Sequence, residues 1–242
     1  MTAQIHVLSD PDTLAVAVAD WLVGRMRGTS KPFSMNLSGG STPKRLYGLL
    51  AQAPYRDQIE WQRLHLFFGD ERYVPHDDPE SNYRMVHDAL IAHVPLPAEN
   101  VHPIPAGPSP AEAAAAYEAK LKNFYGADHL DPSRPLFDVS LLGLGPDGHT
   151  ASLFPGSSAL EEKQAWVLSV IGSKPPPQRI TLTLPVLDSC AAAAFIVSGS
   201  EKEPIVQRLL GGDKALPAGR ISPLGELHWF LDEAAAGGPA GP

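Results

Sequence analysis

Phe137-Asp138-Val139-Ser140-Leu141-Leu142 runs directly into Gly143-Leu144-Gly145-Pro146-Asp147-Gly148-His149-Thr150-Ala151-Ser152-Leu153-Phe154-Pro155-Gly156, and the fold class turns on this stretch. Its first six residues are a near-continuous apolar strand, the pattern of a strand buried on both faces of a parallel sheet. Strands and helices alternate on either side of it. Ile5–Leu8 is a short apolar strand, after which Ser9 or Asp10 caps a helix with Pro11 in its first turn and Leu14, Val18, Trp21 and Leu22 as its buried stripe. Pro32–Leu37 is a second strand, followed by a glycine turn and a helix over Pro43–Leu50 with Thr42 as N-cap. Leu64–Phe68 is a third strand, then come a polar loop, a helix near Tyr83–Ala92 and a helix over Pro110–Phe124. Beyond the central strand the pattern predicts strands at Trp166–Ile171, Ile180–Leu184 and Ala193–Val197, a helix from Lys202 to Leu210, and a closing strand at Leu227–Leu231.

This alternation predicts an α/β fold with an open, mostly parallel, Rossmann-like sheet and helices on both faces. Ligands of such sheets bind beyond the carboxyl ends of the strands, so the loops that follow strands are where chemistry is expected. The 25 prolines among 242 residues are spread as loop punctuation and helix starts, and neither an internal repeat nor a linker is visible. The expected organisation is one domain over residues 1–233 and a flexible C-terminal tail over 234–242, which ends Gly-Gly-Pro-Ala-Gly-Pro.

Composition narrows the function classes. With 19 Lys+Arg against 27 Asp+Glu the net charge is −8, which disfavours a dedicated nucleic-acid binder. Any anion site must be built locally against that acidic background. The 43% apolar content can bury a substantial core. A single cysteine, Cys190, excludes an intramolecular disulfide and a Cys-rich metal cluster. No apolar run approaches the roughly 18 residues of a membrane span, and residues 1–10 lack a basic segment followed by an apolar one. The expectation is a cytoplasmic protein without membrane or nucleic-acid partners, a monomer or small homo-oligomer.

Three strand-end loops carry candidate chemistry. In Leu37-Ser38-Gly39-Gly40-Ser41-Thr42-Pro43, Gly39 and Gly40 let backbone N–H groups approach a ligand, Ser41 and Thr42 add hydroxyls, and a helix N-terminus follows. Those are the parts of a phosphate cradle, though a plain capped turn has them too; the spacing is not that of a Walker A loop. In the second loop, Gly69-Asp70-Glu71-Arg72-Tyr73-Val74-Pro75 places Asp70 and Arg72 at a strand end, where Arg72 suits a phosphate, a carboxylate or a developing oxyanion. His76-Asp77-Asp78 beyond it lacks the spacing of a metal motif. In the third loop Gly143, Gly145 and Gly148 formally match GxGxxG. The dinucleotide reading fails because Pro155 interrupts any crossover helix and no acid ends a following strand at the required distance. What this loop offers is His149 flanked by Asp147, a candidate general base. Ser38, Ser41 and Ser152 lack the elbow of a serine hydrolase.

In this order and spacing the three loops, with Ser81-Asn82-Tyr83, Arg179-Ile180-Thr181-Leu182-Thr183-Leu184, Ser198-Gly199-Ser200-Glu201-Lys202 and Gly225-Glu226-Leu227-His228-Trp229-Phe230, resemble the glucosamine-6-phosphate isomerase/6-phosphogluconolactonase family over practically the whole chain. The resemblance implies a fold similar to that of the glucosamine-6-phosphate deaminases. The implied activity is hydrolysis of 6-phospho-D-glucono-1,5-lactone to 6-phospho-D-gluconate in the oxidative pentose phosphate pathway, without metal or organic cofactor. It further implies His149 as the base that activates water, Gly39–Thr42 with Arg179 and Lys202 at the phosphate, and Asp147, Arg72 and Asp70 as the remaining catalytic candidates. Asp70 is expected to bind a sugar hydroxyl or to position Arg72. The related deaminases are the competing activity. They place a Glu just before the Pro of the histidine loop, where this chain has Phe154, and follow Asp-Glu with Tyr, where this chain has Arg72. Both differences favour the lactonase. A sugar-phosphate sensor without turnover is the alternative of another class, and neither a helix-turn-helix segment nor a basic flank supports it.

Overall fold

The computed structural model describes residues 3–172 and 175–238. The strands are β1 (Gln4–Leu8), β2 (Phe33–Leu37), β3 (Leu64–Phe68), β4 (Asp70–Arg72), β5 (Val101–His102), β6 (Phe137–Leu142), β7 (Val167–Ile171), β8 (Gln178–Leu182), β9 (Cys190–Val197) and β10 (Glu226–Asp232). The helices are α1 (Pro11–Arg27), α2 (Ser41–Leu50), α3 (Asn82–Ala89), α4 (Pro110–Tyr125), α5 (Leu184–Asp188), α6 (Glu203–Leu210) and α7 (Glu233–Ala236). Seven strands form one sheet in the order β1-β10-β9-β6-β2-β3-β5, and every pairing in it is parallel. The expected open α/β sheet flanked by helices is therefore present, with β6 at its centre and Phe137, Val139, Leu141 and Leu142 in the core. No helix among the described residues is long and apolar enough to cross a membrane.

The strand order locates the site. From β2 the chain advances through β3 to β5 on one side, then returns to lay β6, β9 and β10 on the other. The switch falls between β2 and β6, and in sheets of this kind the ligand crevice lies there, beyond the carboxyl ends of the strands. Because the sheet is all parallel, the loops after β2, β3, β6 and β9 emerge on that same edge.

The structure revises several local expectations. Asp10, not Ser9, caps α1, accepting the N–H groups of Asp12 and Thr13 at 2.8 Å each. Trp21 lies half-buried at the rim of the α1 stripe, with the Arg25 guanidinium 5.2 Å from its ring centre. The α2 helix starts two residues earlier than a Thr42 cap requires: Gly40 is its N-cap, at φ 109°, and no side chain caps it. Thr42 instead shares a hydrogen bond of 2.7 Å with the Ser198 hydroxyl. The strands read at 166–171 and 180–184 do not join the main sheet. They pair with β4, which falls within the expected polar loop, in an antiparallel sheet ordered β4-β8-β7. The cause is visible in β7, where Ser169 and Ile171 face water, so the strand has one buried face and suits an antiparallel sheet. Pro185 in the first turn of α5 ends β8 at Leu182, two residues short of the expected Leu184. The expected tail over 234–242 starts too early, since residues 234–236 complete α7, capped by Asp232 and anchored by buried Ala235. Residues 239–242 lie outside the described residues.

The two outer strands of the main sheet end in matching ring stacks. On β1, His6 stacks on Phe230 at 4.4 Å between centroids and hydrogen-bonds His228 at 3.2 Å. On β5, His102 stacks on Phe67 at 4.3 Å and hydrogen-bonds His65 at 3.2 Å. A tilted ring from a helix, Trp21 or Phe124, covers each stack.

Burial, then the neighbouring His65 and Lys120, pull the His102 imidazole down to about 4. An unfolded chain binds that proton near pH 6.5, so the stability this ring contributes above pH 6.5 is lost as pH falls toward 4. Asp188 has the opposite sign: burial raises it to about 6, so it weakens the native state above pH 6 and ceases to do so near pH 4. Denaturant unfolding at pH 7.5 and pH 4.5 should show that His102→Phe removes on the order of 1–2 kcal/mol of the acid-induced loss. An unchanged loss would mean that the β5 stack does not titrate with folding.

Candidate active site

Four loops meet at the crevice. The loop after β2 begins with Ser38, whose N–H donates to the Tyr47 hydroxyl at 3.2 Å while that hydroxyl donates back to the Ser38 carbonyl at 2.9 Å. This pair holds Gly39–Thr42 at the open start of α2, where the first N–H groups lack a side-chain cap. Lys202 follows β9 on a short 3-10 turn at Ser200–Lys202. The hydrogen bond between Thr42 and Ser198 ties that turn to the α2 start, and the Asp232 carboxylate fixes it from behind by accepting the Gly199 N–H at 3.0 and 3.1 Å. Gly39, Gly40, Ser41, Thr42 and Lys202 thus share one end of the crevice. Among the described residues the Lys202 ammonium makes no ion pair.

The loop after β6 carries His149. Gly145 N–H donates to the His149 carbonyl at 2.8 Å, and Thr150 donates to the Gly143 carbonyl at 2.9 Å, so the loop folds back on its own start. The imidazole lies flat on Gly145: a Cβ added there would sit 2.0 Å from Nδ1. Its Nδ1 is 2.5 Å from the Asp147 carboxylate, and its ring centre is 4.8 Å from that of Phe154. Burial acts to raise the Asp147 carboxyl, but the hydrogen bond and charge of His149 outweigh it and leave it below the ordinary carboxylate value. The side chain of His149 is 28% exposed, open to the crevice and not sealed in the core. Gly143 abuts the cradle, since a Cβ added there would be 3.7 Å from the Gly39 carbonyl oxygen. Two residues, at most about 7 Å of chain, separate that contact from the glycine beneath the imidazole.

Arg72 and Arg179 face each other across β4 and β8 as register partners. Burial and then the charge of Arg72 lower the Arg179 guanidinium from its ordinary value. Its Nε donates to the Pro176 carbonyl at 3.0 Å. Arg72 donates to the Glu80 carbonyl at 2.5 Å. Three buried side-chain polar atoms lack a partner among the described residues. Two of them, Ser38 Oγ and Arg72 Nε, belong to these loops, which is the condition of groups that await a ligand. His76 in the neighbouring acidic run is spent on the Ile104 carbonyl at 2.8 Å.

Asp70 is 8% exposed, and its carboxylate faces other loops of the protein. Its Oδ2 accepts the Ser152 hydroxyl at 2.6 Å, and its Oδ1 lies 3.3 Å from the Asn82 amide nitrogen. Three residues with no assigned role in the sequence reading complete the arrangement. Glu71, 3% exposed, accepts from the N–H groups of Arg72, Asn82 and Tyr83 and from the Ser81 hydroxyl at 2.7–3.0 Å, holding the start of α3. Burial raises its carboxyl although those bonds pull it down. Asn82 and Ser152 connect the loops. Ser81-Asn82 ahead of an apolar helix is a readable capping signal, whereas nothing local distinguishes Glu71 from its exposed neighbours.

The sequence profile of the family described as glucosamine-6-phosphate isomerases/6-phosphogluconolactonase matches residues 9–229. The chain is 43% identical over 210 residues to 6-phosphogluconolactonase 3, chloroplastic, of Arabidopsis thaliana, covering 84% of this chain and 64% of that protein, so it spans just under two thirds of that relative's length. It is 38% identical to the 6-phosphogluconolactonase of a Nostoc species over 97% of this chain and 98% of that one. The solved 6-phosphogluconolactonase of Trypanosoma cruzi superposes with a TM-score of 0.87 at 32% identity, over 98% of this chain and 96% of that one. A monomeric glucosamine-6-phosphate deaminase shares the fold, with a TM-score of 0.80 at 19% identity over 97% of this chain and 99% of that one.

The seating of His149 on Gly145 has a direct test. Gly145→Ala leaves the backbone conformation accessible, because this glycine does not have positive φ, but its methyl would occupy the place of the ring. Imidazole 15N chemical shifts should report loss of the Asp147 hydrogen bond while circular dichroism stays native. Retention of that bond would show that the ring does not rest on Gly145.

Proposed function

The chain belongs to the glucosamine-6-phosphate isomerase/6-phosphogluconolactonase family, and on that premise we propose that it hydrolyses 6-phospho-D-glucono-1,5-lactone to 6-phospho-D-gluconate, a step of the oxidative pentose phosphate pathway. The carrying observation is the hydrogen bond of 2.5 Å between His149 and Asp147 at the switch-point crevice. Asp147, held below the ordinary carboxylate value, remains an acceptor at neutral pH, so Nδ1 of His149 carries the proton and Nε2 presents its lone pair. Nε2 takes a proton from water as the water oxygen bonds to C1 of the lactone, and the carbonyl electrons move onto oxygen. Arg72, whose Nε is buried without an acceptor among the described residues, is the candidate donor to that oxyanion. As the tetrahedral centre collapses, the bond from C1 to the ring oxygen breaks, and the imidazolium returns its proton to that oxygen. Asp147 stabilises the imidazolium in the interval.

The phosphate would sit on Gly39, Gly40, Ser41 and Thr42, against the open N-terminus of α2, with Lys202 and Arg179 as its side-chain partners. Anchoring there positions C1 at the histidine. Asp70, with its carboxylate held by Ser152 and Asn82, positions the loops from within. No cofactor has a step to perform, because the base and the charge donors are side chains. Phe154 packed against His149 supports the lactonase over the deaminase, since a phenyl ring at that place cannot add a second proton carrier.

A coupled dehydrogenase assay with lactone generated in situ should show turnover, and ammonia should not be released from glucosamine 6-phosphate. In that assay His149→Ala should lower kcat by about 10²–10⁴-fold with little change in KM. Wild-type turnover in the variant would remove the histidine from the mechanism. Lys202→Ala should mainly raise KM, and an unchanged KM would move the phosphate elsewhere. Activity should survive exhaustive chelation.

A further inference from the structure

We propose that Asn82 is a positioning residue for this reaction, its carboxamide serving as the shared wall that holds the phosphate cradle and the histidine loop in one frame. The inference rests on the lactonase reading for its kinetic arm only. Asn82 is 3% exposed and stands at the first turn of α3, belonging to neither loop. Its backbone N–H is fixed by Glu71 at 2.7 Å. Its side-chain nitrogen donates to the Asp70 carbonyl at 3.0 Å and lies 3.3 Å from the Asp70 carboxylate. That carboxylate in turn accepts the Ser152 hydroxyl at 2.6 Å, three residues beyond His149. Ser152 is held from its other side as well, its N–H donating to the Thr181 hydroxyl at 3.2 Å.

The opposite face of the same carboxamide meets the cradle. A Cβ added at Gly39 would lie 2.1 Å from the Asn82 oxygen and 2.6 Å from its carbonyl carbon. Gly39 is not among the glycines of positive φ, so its backbone would accept alanine, and the nearest obstacle to a side chain there is Asn82. Gly40 next to it differs, with φ at 109° and only an ordinary contact at its Cβ position, 3.7 Å from Pro43. One buried amide therefore touches the cradle through Gly39 and the histidine loop through Asp70 and Ser152. Displacing it should loosen both ends of the substrate site together.

The test uses the full chain with two readings, the lactonase kinetic constants and the affinity for inorganic phosphate measured by calorimetry. Asn82→Ala should lower kcat at least tenfold and weaken phosphate binding at least fivefold at temperatures well below unfolding. Ser152→Ala should lower kcat while leaving phosphate affinity within twofold. Gly39→Ala should weaken phosphate binding tenfold or more in the native background, and by less than threefold in Asn82→Ala, where the methyl finds room. If Asn82→Ala fails to fold, Asn82→Ser takes its place with the same readings. Equal penalties for Gly39→Ala in both backgrounds, or an Asn82 variant that shifts only the melting temperature, would overturn the proposal. Failure of the wild-type protein to hydrolyse the lactone would strike the proposed reaction and leave the phosphate cycle interpretable.

Discussion

A buried carboxylate must be saturated with donors, and Glu71 meets that demand by ordering the residues around it. Three backbone N–H groups and one hydroxyl converge on it from Arg72 and from the start of α3. Losing any of them would leave charge unsolvated in the interior, so β4 and α3 are locked to each other. Asp70, one residue earlier, extends the lock to the histidine loop through Ser152. The crevice is thus walled by irregular segments that owe their definition to two adjacent acids, one behind each wall.

The same device would let an acidic protein offer a site to the dianion of the proposed substrate. Asp70 and Glu71 face inward and are consumed by donors, so their charge is largely compensated where a ligand would meet it. Arg72, Arg179 and Lys202 stand at the crevice. The net charge of −8 is carried mostly elsewhere, and local arrangement outweighs the overall balance.

The main sheet was legible because its signal is local: the near-continuous apolar run at 137–142 reads as a strand buried on both faces, and the glycine-rich segments after Leu37 and Leu142 mark the strand ends where sheets of this kind bind ligands. The small antiparallel sheet was not, because Asp70-Glu71-Arg72 reads as loop from its charges. It becomes a strand only through pairing with β8, more than a hundred residues away. The histidine and its aspartate partner were readable from a spacing of two residues. The seat of that imidazole on Gly145, and of the Asn82 amide on Gly39, depend on the three-dimensional course of the chain. Thr42 shows the limit in reverse, since its capping propensity is genuine but Ser198 claims the hydroxyl.

The ring stacks at β1 and β5 bear on how the protein would come apart. Each outer strand carries a hydrogen-bonded histidine pair at its margin, whereas the central strands β6, β9 and β2 are buried between parallel neighbours on both sides. Burial opposes the protonation of His6, His65 and His102, so acid would strain the molecule at these two margins of the sheet.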